Sequence, residues 1–460
     1  MKKSTRALVV TASLTLAFGL SACGTGGGAS STTAPPAPAP TSSAAPAPTT
    51  SAAPAPTSAA PAGGSHLVVW TWDPKFNIYA MNEAAKVYQK AHPEFTLDVQ
   101  EVSWDDIQTK MTTIAQANTL DQLPDIFLVQ NNAFQKNVTN YPQLFADYGK
   151  SGIDFTQYPQ SVVNYSTVDG KNWGLPFDNG AAIGVYRTDV LQQAGHTVAD
   201  LTDVTWTQWE AVAKDVLAKT GKPLLSGMAN SSDMIMMMLQ SSGASLFDKD
   251  GKPAIVGNDA LKKAIAVYQQ MVKDKTYVEL NSWDEYIGSF QNSNVAGVIN
   301  GCWILGSIQA TADQSGKWAV TNMPSVEGVP GATNYSANGG SSWAISSSSK
   351  NYALAADFLK STFAGSTDFY DTILPSSGAL ANWAPAAKSN VYAQPQPFFN
   401  NDPIFTKIVE YASKVPANNT SPYYYEARDA VSAAITKILG GTDEDSALKE
   451  AQQTVEFAMQ

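Results

Sequence analysis

The sequence LVVWTW at residues 67–72 and the sequence LPDIFLV at residues 123–129 frame the segment that predicts the fold. Both are short apolar runs of strand-forming residues. Between them, apolar residues recur at helical spacing over 77–91 and 104–118, and residues 95–102 alternate as a strand does. The order strand, helix, strand, helix, strand predicts a parallel sheet covered by helices, which is the repeating unit of an α/β fold.

The same alternation of short apolar runs and helical patterns continues to the end of the chain. Further strands are predicted at residues 173–176, 181–186, 295–300, 317–323 and 342–346, and further helices at 206–220, 232–239, 259–273, 353–363, 404–413, 424–439 and 443–459. This patterned part of the 460-residue chain is too long for one ordinary hydrophobic core. We therefore predict two domains or lobes.

The first 64 residues have the composition of a leader and a tether. A basic start is followed by an apolar run over 7–20, too short to span a bilayer, and then by LSACG. This segment resembles a bacterial lipoprotein signal peptide over 1–22 with Cys23 as the lipidated residue; the alternative is an ordinary secretory cleavage site with a chance cysteine. Residues 23–64, almost only Ala, Pro, Ser, Thr and Gly, predict a disordered, extended linker. We expect the globular part to be anchored on the extracytoplasmic face of the cell membrane.

Composition argues against several classes of function. The chain has 40 acidic and 29 basic side chains, a formal net charge of −11 and no basic cluster, so nucleic acid is not an expected partner. It has only three histidines and lacks the G-x-S-x-G, H-E-x-x-H and C-x-x-C patterns, so we predict no metal, no cofactor and no catalysis. With Cys23 lipidated, Cys302 has no disulfide partner and is predicted to be a small buried residue.

Six stretches, taken in order, resemble the extracellular solute-binding proteins of carbohydrate ABC importers, the maltose-binding-like group. They are WTWDPKFN after the first strand, LPDIFLVQNN, WGLPFDNGAAIGVYRTDVL, VAGVINGCWI, NGGSSWAISSSSKN with AADFLKSTFAGS, and YYYEARDAV near the end. The resemblance covers residues 66–460 and agrees with the lipoprotein leader.

The resemblance implies an α/β, two-lobed periplasmic-binding-protein-like fold, in which each lobe is a mainly parallel sheet flanked by helices. Mapped by motif, the N-terminal lobe comprises residues 66–177 plus 338–414, and the C-terminal lobe comprises 178–337 plus 415–460. The resemblance further implies a monomer that holds an oligosaccharide, a di- to tetrasaccharide, between its lobes. It also implies a partner, the transmembrane permease subunits of an ABC importer.

The two lobes are expected to be joined by a hinge that the chain crosses more than once. The crossings map near Asp178-Asn179-Gly180, near Asn338-Gly339 and around Val415-Pro416. Hinges are a few loop residues that absorb large changes of backbone angles, and glycine adopts such angles at little cost. Sequence and resemblance therefore agree on the first two joints.

A sugar has apolar C–H faces, which suit aromatic rings, and a rim of hydroxyls, which suits carboxylates, amides and arginine. In open α/β sheets, ligands bind beyond the carboxyl ends of the strands. The binding residues predicted after strands or near the crossings are Trp72, Asp73, Lys75, Gln130, Asn131, Asn132, Asp178, Asn179, Trp303, Gly340 and Trp343. The others are Trp283, which heads a segment before a predicted strand, and Tyr424, Tyr425 and Arg428 at the start of a predicted helix.

The resemblance gives specific roles to a few of these residues. It implies that Trp303, just after a predicted strand, stacks on a sugar face in the C-terminal lobe. It also implies an aromatic platform at Tyr424, which lies four residues before Arg428 and so shares its helix face. Alternatives remain: Trp343 opens a strand and could belong to the core, and Arg428 could pair with a carboxylate across the lobes.

The sequence leaves two other functions open. A peptide or another small solute could occupy the same fold. A secreted carbohydrate-active enzyme would need two carboxylates that face each other across the scissile bond. The pairs Asp105-Asp106 and Asp284-Glu285 are adjacent in sequence, and neighbouring side chains tend to point apart, so no such pair is predicted.

Overall fold

The computed structural model describes residues 64–460. The predictions for the signal peptide, for Cys23 and for nearly all of the linker lie outside these residues. The elements up to residue 177 are β1 (His66–Thr71), α1 (Asn77–Gln89), β2 (Thr96–Glu101), α2 (Trp104–Ala117), β3 (Ile126–Gln130), α3 (Asn131–Asn140), β4 (Phe145–Ala146), α4 (Gln160–Val163), β5 (Thr167–Val168), β6 (Lys171–Asn172) and β7 (Leu175–Pro176).

The middle of the chain forms a second set of elements, and the chain then returns to the first. The middle elements are β8 (Ala182–Arg187), α5 (Thr188–Ala194), α6 (Trp206–Thr220), β9 (Leu225–Met228), α7 (Asp233–Ser241), α8 (Asp259–Asp274), β10 (Tyr277–Leu280), α9 (Trp283–Gln291), β11 (Gly297–Gly301), α10 (Leu305–Gln309) and β12 (Trp318–Thr321). The last elements are β13 (Ser341–Ser346), α11 (Tyr352–Ser361), α12 (Thr367–Ser377), α13 (Ile404–Ser413), α14 (Tyr424–Leu439) and α15 (Glu444–Ala458).

Local sequence sets the ends of many of these helices, and α6 is an example. The Thr205 hydroxyl accepts from the Gln208 N–H, and the Gln208 side chain accepts from the Thr205 N–H, which together form a capping box. At the other end, Gly221 adopts a φ of 72°, a left-handed conformation that glycine reaches without strain. The predicted helix over residues 206–220 therefore has the observed bounds.

The first lobe is built on a sheet with the strand order β2-β1-β3-β13-β4, and β7 also pairs with β13. Strands β1, β2 and β3 are parallel, as the opening segment of the sequence predicts. Strand β13 is antiparallel to β3, with Ser341 opposite Gln130. The carboxyl ends of β1, β2 and β3 thus share one edge of the sheet, where β13 begins.

The second lobe departs from the predicted mainly parallel sheet. Its three-stranded sheet has the order β11-β8-β12 and is antiparallel throughout, while β9 and β10 form a separate parallel pair. The register places Ala182, the first residue of β8, opposite Gly301, the last residue of β11. Strand β8 starts at the crossing and runs away from it, whereas β11 runs towards it, so the two strands are antiparallel. The periodicity of apolar residues does not show whether two paired strands run parallel or antiparallel.

Two of the predicted crossings lie side by side between the sheets. Ala181 and Ala337 form an antiparallel bridge, and the Asn338 N–H donates to the Gly180 carbonyl at 2.7 Å. A Cβ on Gly180 would overlap the Asn338 carbonyl, so only glycine allows the two segments to approach this closely. Gly339 adopts a φ of 94°, which other residues rarely reach.

Helix α13 packs against the second lobe and not within the first lobe, where it was predicted. Its buried residues Ile404, Phe405 and Ile408 share a core with Ile183 and Trp318 of the antiparallel sheet. The chain therefore returns to the second lobe before α13, earlier than the predicted crossing around residues 415–416. Helical periodicity identifies the apolar face of α13, but it does not identify the surface which that face covers.

Candidate functional site

A cavity of about 490 Å³ lies between the lobes, at the edge where the strands of both lobes end. The first lobe contributes Trp72, Asp73, Phe76 and Asn77 after β1, Glu101, Ser103, Trp104 and Asp105 around the end of β2, and Gln130 at the end of β3. The crossings contribute Asp178 and residues 338–341. The second lobe contributes residues 228–231 and Asp233 after β9, Trp283 after β10, Trp303 after β11, and Arg428, Asp429 and Ser432 of α14. Cavities of this size hold small organic ligands.

Asp73 is held rigidly in the loop between β1 and α1. Its Oδ1 accepts from the N–H groups of Lys75 and Phe76 at 2.8 and 3.1 Å, and its own N–H donates to Asn77 Oδ1 at 2.8 Å. Burial raises the pKa of the Asp73 carboxyl, although these backbone hydrogen bonds and nearby Lys75 act in the opposite direction. Oδ2 makes no hydrogen bond within residues 64–460, which leaves it available as an acceptor.

Asp178 ties the two crossings together. Its Oδ1 accepts from the N–H of Ser341 at 2.9 Å and from the hydroxyl of the same residue. Only 2% of Asp178 is exposed, and this burial raises the pKa of its carboxyl to about 6, against the lowering effect of the Ser341 hydrogen bonds. The Asp178 side chain therefore makes hydrogen bonds at the hinge and also forms part of the cavity wall.

Tryptophan rings line the cavity on both lobes. In the first lobe, Trp72 and Trp104 lie with ring centroids 5.5 Å apart at 56°. In the second lobe, Trp283 and Trp303 lie 5.9 Å apart at 37°, and the Trp303 Nε1–H donates to the Asn338 carbonyl at 2.8 Å. This hydrogen bond fixes the Trp303 ring against the crossing. A ligand in the cavity can therefore meet an apolar ring surface from each lobe.

Arg428 is the only basic side chain that lines the cavity, as far as the described residues go. Its Nε and one terminal N–H group both donate to Asp429 Oδ1, and its guanidinium lies 4.6 Å from the centroid of the Tyr425 ring. Burial lowers the pKa of Arg428, but the neighbouring Tyr425, Asp233 and Asp429 raise it by more. The arginine is therefore held charged by local acidic groups.

Carboxyl groups dominate the charge of the cavity wall. Against Arg428, the wall carries six acidic side chains, namely Asp73, Glu101, Asp105, Asp178, Asp233 and Asp429. Ionised carboxylates only accept hydrogen bonds, so the wall is suited to ligands that have many donors. A neutral polyhydroxylated ligand meets this requirement, whereas an anionic group would be repelled by these carboxylates.

The structure brings together eight of the predicted site residues on the wall of this cavity. They are Trp72, Asp73, Gln130, Asp178, Trp283, Trp303, Gly340 and Arg428. Contact between these residues and a ligand stays a prediction. All of them except Arg428, which lies on α14, lie at or after the end of a strand or at a crossing.

Trp343 was predicted wrongly as a binding residue. Its side chain is 0% exposed and packs against Phe177 and Phe363 in the core of the first lobe. Both faces of the sheet are covered, so all six residues of β13 are buried. Proximity to the crossing in sequence therefore does not bring this ring to the cavity.

Asn131 and Asn179 also lie off the cavity wall, and each is used within the protein. Asn131 is buried, its N–H donates to the Gly340 carbonyl, and its Oδ1 accepts from the Ser342 hydroxyl at 2.8 Å. The Asn179 carbonyl accepts from the Cys302 thiol at 3.3 Å. Cys302 is buried, as predicted, and burial raises the pKa of its thiol.

The four other predicted residues lie near the cavity but not on its wall. Lys75 is exposed on the loop after β1. Asn132 and Tyr424 line a small neighbouring pocket. Tyr425 is buried in the first lobe's core beside Trp104, and its hydroxyl donates to Gln130 Oε1. Both tyrosines share the helix face of Arg428, but the Tyr425 ring is covered by Trp104 and by the Arg428 guanidinium, and Tyr424 lines the neighbouring pocket.

Two groups of wall residues are not among the predicted ones. The first surrounds the end of β2, from Glu101 to Asp105, and the strand-end criterion would have found it because this strand was predicted. The second follows β9, from Met228 to Asp233, where the strand itself was missed. The β9 sequence LSGM is short, and it contains a serine and a glycine and no β-branched residue, so it carries little strand signal.

Residues 64–460 contain no group of three or more His, Cys, Asp and Glu side chains that could hold a metal ion. The acidic side chains of the cavity are therefore spread around its wall and do not converge on one point.

Comparison with known proteins identifies the family. Residues 83–405 match the family described as bacterial extracellular solute-binding protein. The chain belongs to this family. The lactose-binding protein of Rhizobium radiobacter is 34% identical over 84% of this chain and 92% of its own length. The arabinooligosaccharide-binding protein of Bacillus subtilis (strain 168) is 24% identical over 65% of this chain and 69% of its own length.

Solved structures show that this solute-binding protein has the two-lobed fold of the family. An ABC transporter associated binding protein from B. animalis subsp. lactis Bl-04, in complex with β-1,6-galactobiose, superimposes with a TM-score of 0.73 over 86% of this chain and 97% of that one, at 19% identity. The galacto-N-biose-/lacto-N-biose I-binding protein of Bifidobacterium longum gives a TM-score of 0.70 over 87% and 98%, at 18% identity. The predicted fold class is thus confirmed, with the corrected strand directions of the second lobe.

Proposed function

We propose that this solute-binding protein captures an oligosaccharide in the cavity between its lobes and delivers it, chemically unchanged, to the permease of an ABC importer. The observation that carries this proposal is the composition of the cavity wall. Tryptophan rings from both lobes face the cavity, and the remaining wall is rich in carboxylate and amide groups. Rings match the C–H faces of sugars, and carboxylates and amides match their hydroxyls.

The relatives support the substrate class. One relative is named for binding lactose, another is named for binding arabinooligosaccharides, and one structural neighbour holds β-1,6-galactobiose. The cavity volume of about 490 Å³ is within the range expected for a ligand of a few sugar units. We infer a neutral oligosaccharide, a di- to tetrasaccharide, as the ligand.

Capture requires the two lobes to move relative to each other. The segments around Gly180 and Gly339 have the properties of a hinge, since each depends on glycine for its contact or its backbone angles. A ligand that contacts both lobes stabilises the closed form by its greater affinity for that form. Trp72 and Asp73 on one lobe, and Trp283, Trp303 and Arg428 on the other, are the proposed contacts.

The leader supports a location on the outer face of the membrane. A diacylglyceryl group on Cys23 would supply two chains, which is what stable anchoring requires. The linker of residues 23–64 would let a monomer reach its permease from this anchor. Substitution of Cys23 by Ser is expected to move the protein from the membrane fraction to the soluble fraction. Continued membrane association of that variant would contradict lipid anchoring at this residue.

A panel of ligands tests the substrate class directly. Thermal unfolding of residues 65–460 would be followed with lactose, β-1,6-galactobiose and arabinotriose, with trialanine as the peptide control. A ligand at 100 times its dissociation constant adds about 2.7 kcal/mol to the free energy of unfolding. We expect a rise in melting temperature with at least one sugar, which mass spectrometry recovers intact. A shift with the peptide alone would overturn the sugar assignment, and a hydrolysed sugar would overturn binding without catalysis.

Small-angle scattering tests the closure of the lobes with the same ligand. The radius of gyration is expected to fall when the binding sugar saturates the protein. A radius that stays unchanged at saturation would contradict closure while leaving sugar capture in place.

A further inference from the structure

A second polar depression lies next to the sugar cavity. It has a volume of about 460 Å³ and runs between helices α2 and α3. We call it the α2–α3 groove. One side is formed by Asp105, Gln108, Thr109, Thr112 and Thr113 of α2, whose spacing places them on one face of the helix. The other side includes Lys136 and Asn137 of α3.

The groove adjoins the sugar cavity directly. Asp105 lines both spaces. Tyr425 also lines the groove, and its hydroxyl donates to Gln130, which lines the cavity. The Tyr425 ring therefore stands between the two spaces, with Asp105 at the edge they share. Asp105 is exposed at this shared edge.

The chemistry of the groove fits a sugar unit. Except for Ala133, every residue that lines it carries a hydroxyl, amide, carboxylate or ammonium group. Thr109 and Thr113 are exposed, and their hydroxyls make no hydrogen bond within residues 64–460. Free hydroxyls can both donate to and accept from a sugar.

We propose that the α2–α3 groove binds a further unit of the oligosaccharide, beyond the units held in the cavity. This inference rests on the proposed function, since it assigns a place to one end of the same ligand. It makes the protein selective for chain length. A trisaccharide is bound more tightly than the disaccharide of the same linkage, because only the trisaccharide reaches the groove.

The test compares matched sugars in isothermal titration calorimetry. The pairs are lactose with β-1,4-galactosyl-lactose, β-1,6-galactobiose with β-1,6-galactotriose, and arabinobiose with arabinotriose. For the pair that binds, the trisaccharide is expected to bind about tenfold more tightly or better, which corresponds to about 1.4 kcal/mol. Equal affinity for the two members of that pair would overturn the proposal.

Variants that fill the groove locate the extra unit. Thr109→Trp and Thr113→Trp change exposed residues of α2, so the fold should persist, and unchanged melting temperatures check this. Each is expected to weaken trisaccharide binding about tenfold while changing disaccharide binding less than about twofold. Thr454→Trp, at an exposed position of α15 far along the chain, is the matched control and should change neither affinity.

The possible failures can be told apart. Unchanged trisaccharide affinity in both groove variants would overturn the groove assignment and leave the sugar cavity intact. An equal loss for both sugars would also overturn it, because the substitutions would then act on the cavity. If the wild-type protein bound neither member of any pair, the proposed function itself would fail.

Discussion

Among the predicted binding residues, Trp303 most clearly combines a position just after a strand with a place on the cavity wall. Its ring belongs to the wall, its indole N–H is used by the Asn338 carbonyl, and Trp283 lies beside it. The ring is therefore oriented before a ligand arrives, so little side-chain entropy is lost on binding.

Trp303→Ala is expected to weaken binding of the sugar found in the ligand panel by about 2 kcal/mol, roughly 30-fold, because a stacked and desolvated ring is lost. Trp303→Phe should recover part of this loss, since it restores a ring without the N–H. Titration calorimetry measures both, and Trp173→Ala serves as a control for a tryptophan off the cavity wall. Wild-type affinity in Trp303→Ala would remove this residue from the site.

Asp178 predicts a specific dependence of stability on pH. The pKa of its carboxyl is about 6 in the folded protein, above the usual value near 3.9, because burial disfavours the charged form. Below about pH 4 the carboxyl is protonated in both states, and its burial then carries no charge penalty. As the pH rises towards 6, only the unfolded state ionises, so stability falls across this window.

Asp178→Asn removes this titration. The difference in unfolding free energy between variant and wild type should shift in favour of the variant by on the order of 2–3 kcal/mol from about pH 4 to about pH 7. Denaturant unfolding of both proteins across this range measures the difference, and the other carboxyl groups cancel in the comparison. A difference that does not change with pH would show that Asp178 ionises in the fold as it does in water.

At the scale of elements, the close pairing of the two crossing segments is the feature with the sharpest steric requirement. Gly180 meets the Asn338 carbonyl, and the two segments also share a backbone hydrogen bond. Neither segment contains a bulky apolar residue at the contact itself. The geometry therefore depends on the absence of one methyl group.

Gly180→Ala is expected to lower the free energy of unfolding by about 1–3 kcal/mol, because the new Cβ forces the segments apart. Gly288→Ala is the matched control in helix α9, where the nearest atom to a new Cβ is Asn292 Nδ2 at 3.5 Å. That change should be neutral or stabilise by up to about 1 kcal/mol. Equal effects of the two substitutions in denaturant unfolding would argue against a tight crossing.

At the scale of the whole molecule, the acidic wall of the cavity between the lobes predicts that anionic sugars are excluded. The cavity wall has six carboxyl groups and one arginine, and Asp429 already engages that arginine. At separations of several ångströms, each uncompensated carboxylate repels an anionic group by about 1 kcal/mol. A neutral sugar is not subject to this repulsion.

A uronic acid analogue of the binding disaccharide should therefore bind at least about tenfold more weakly than the neutral sugar. The discrimination should shrink at high salt, and it should shrink in Asp105→Asn/Asp429→Asn, which changes two exposed carboxylates. Competition titrations measure it. Equal affinity for the neutral and the acidic sugar would contradict an electrostatic role for the wall.

Many helices and strands of this protein could be predicted from the sequence, because local sequence patterns specify local structure. Helices such as α6 and α14 and the parallel strands β1 to β3 follow from periodicity and capping residues that lie within a few positions of each other. About half of the predicted site residues line the cavity, and most of these are rings or carboxylates at strand ends. These features need no knowledge of what packs against them.

The remainder depended on contacts between distant parts of the chain. The direction of β8, the lobe on which α13 packs, the burial of Trp343 and the separation of Tyr425 from the cavity all follow from which surfaces meet in three dimensions. Apolar faces are interchangeable in sequence, because the hydrophobic effect is proportional to buried area and has no direction. Only packing of the complete chain selects the partner of each face, and with it the residues that line the cavity.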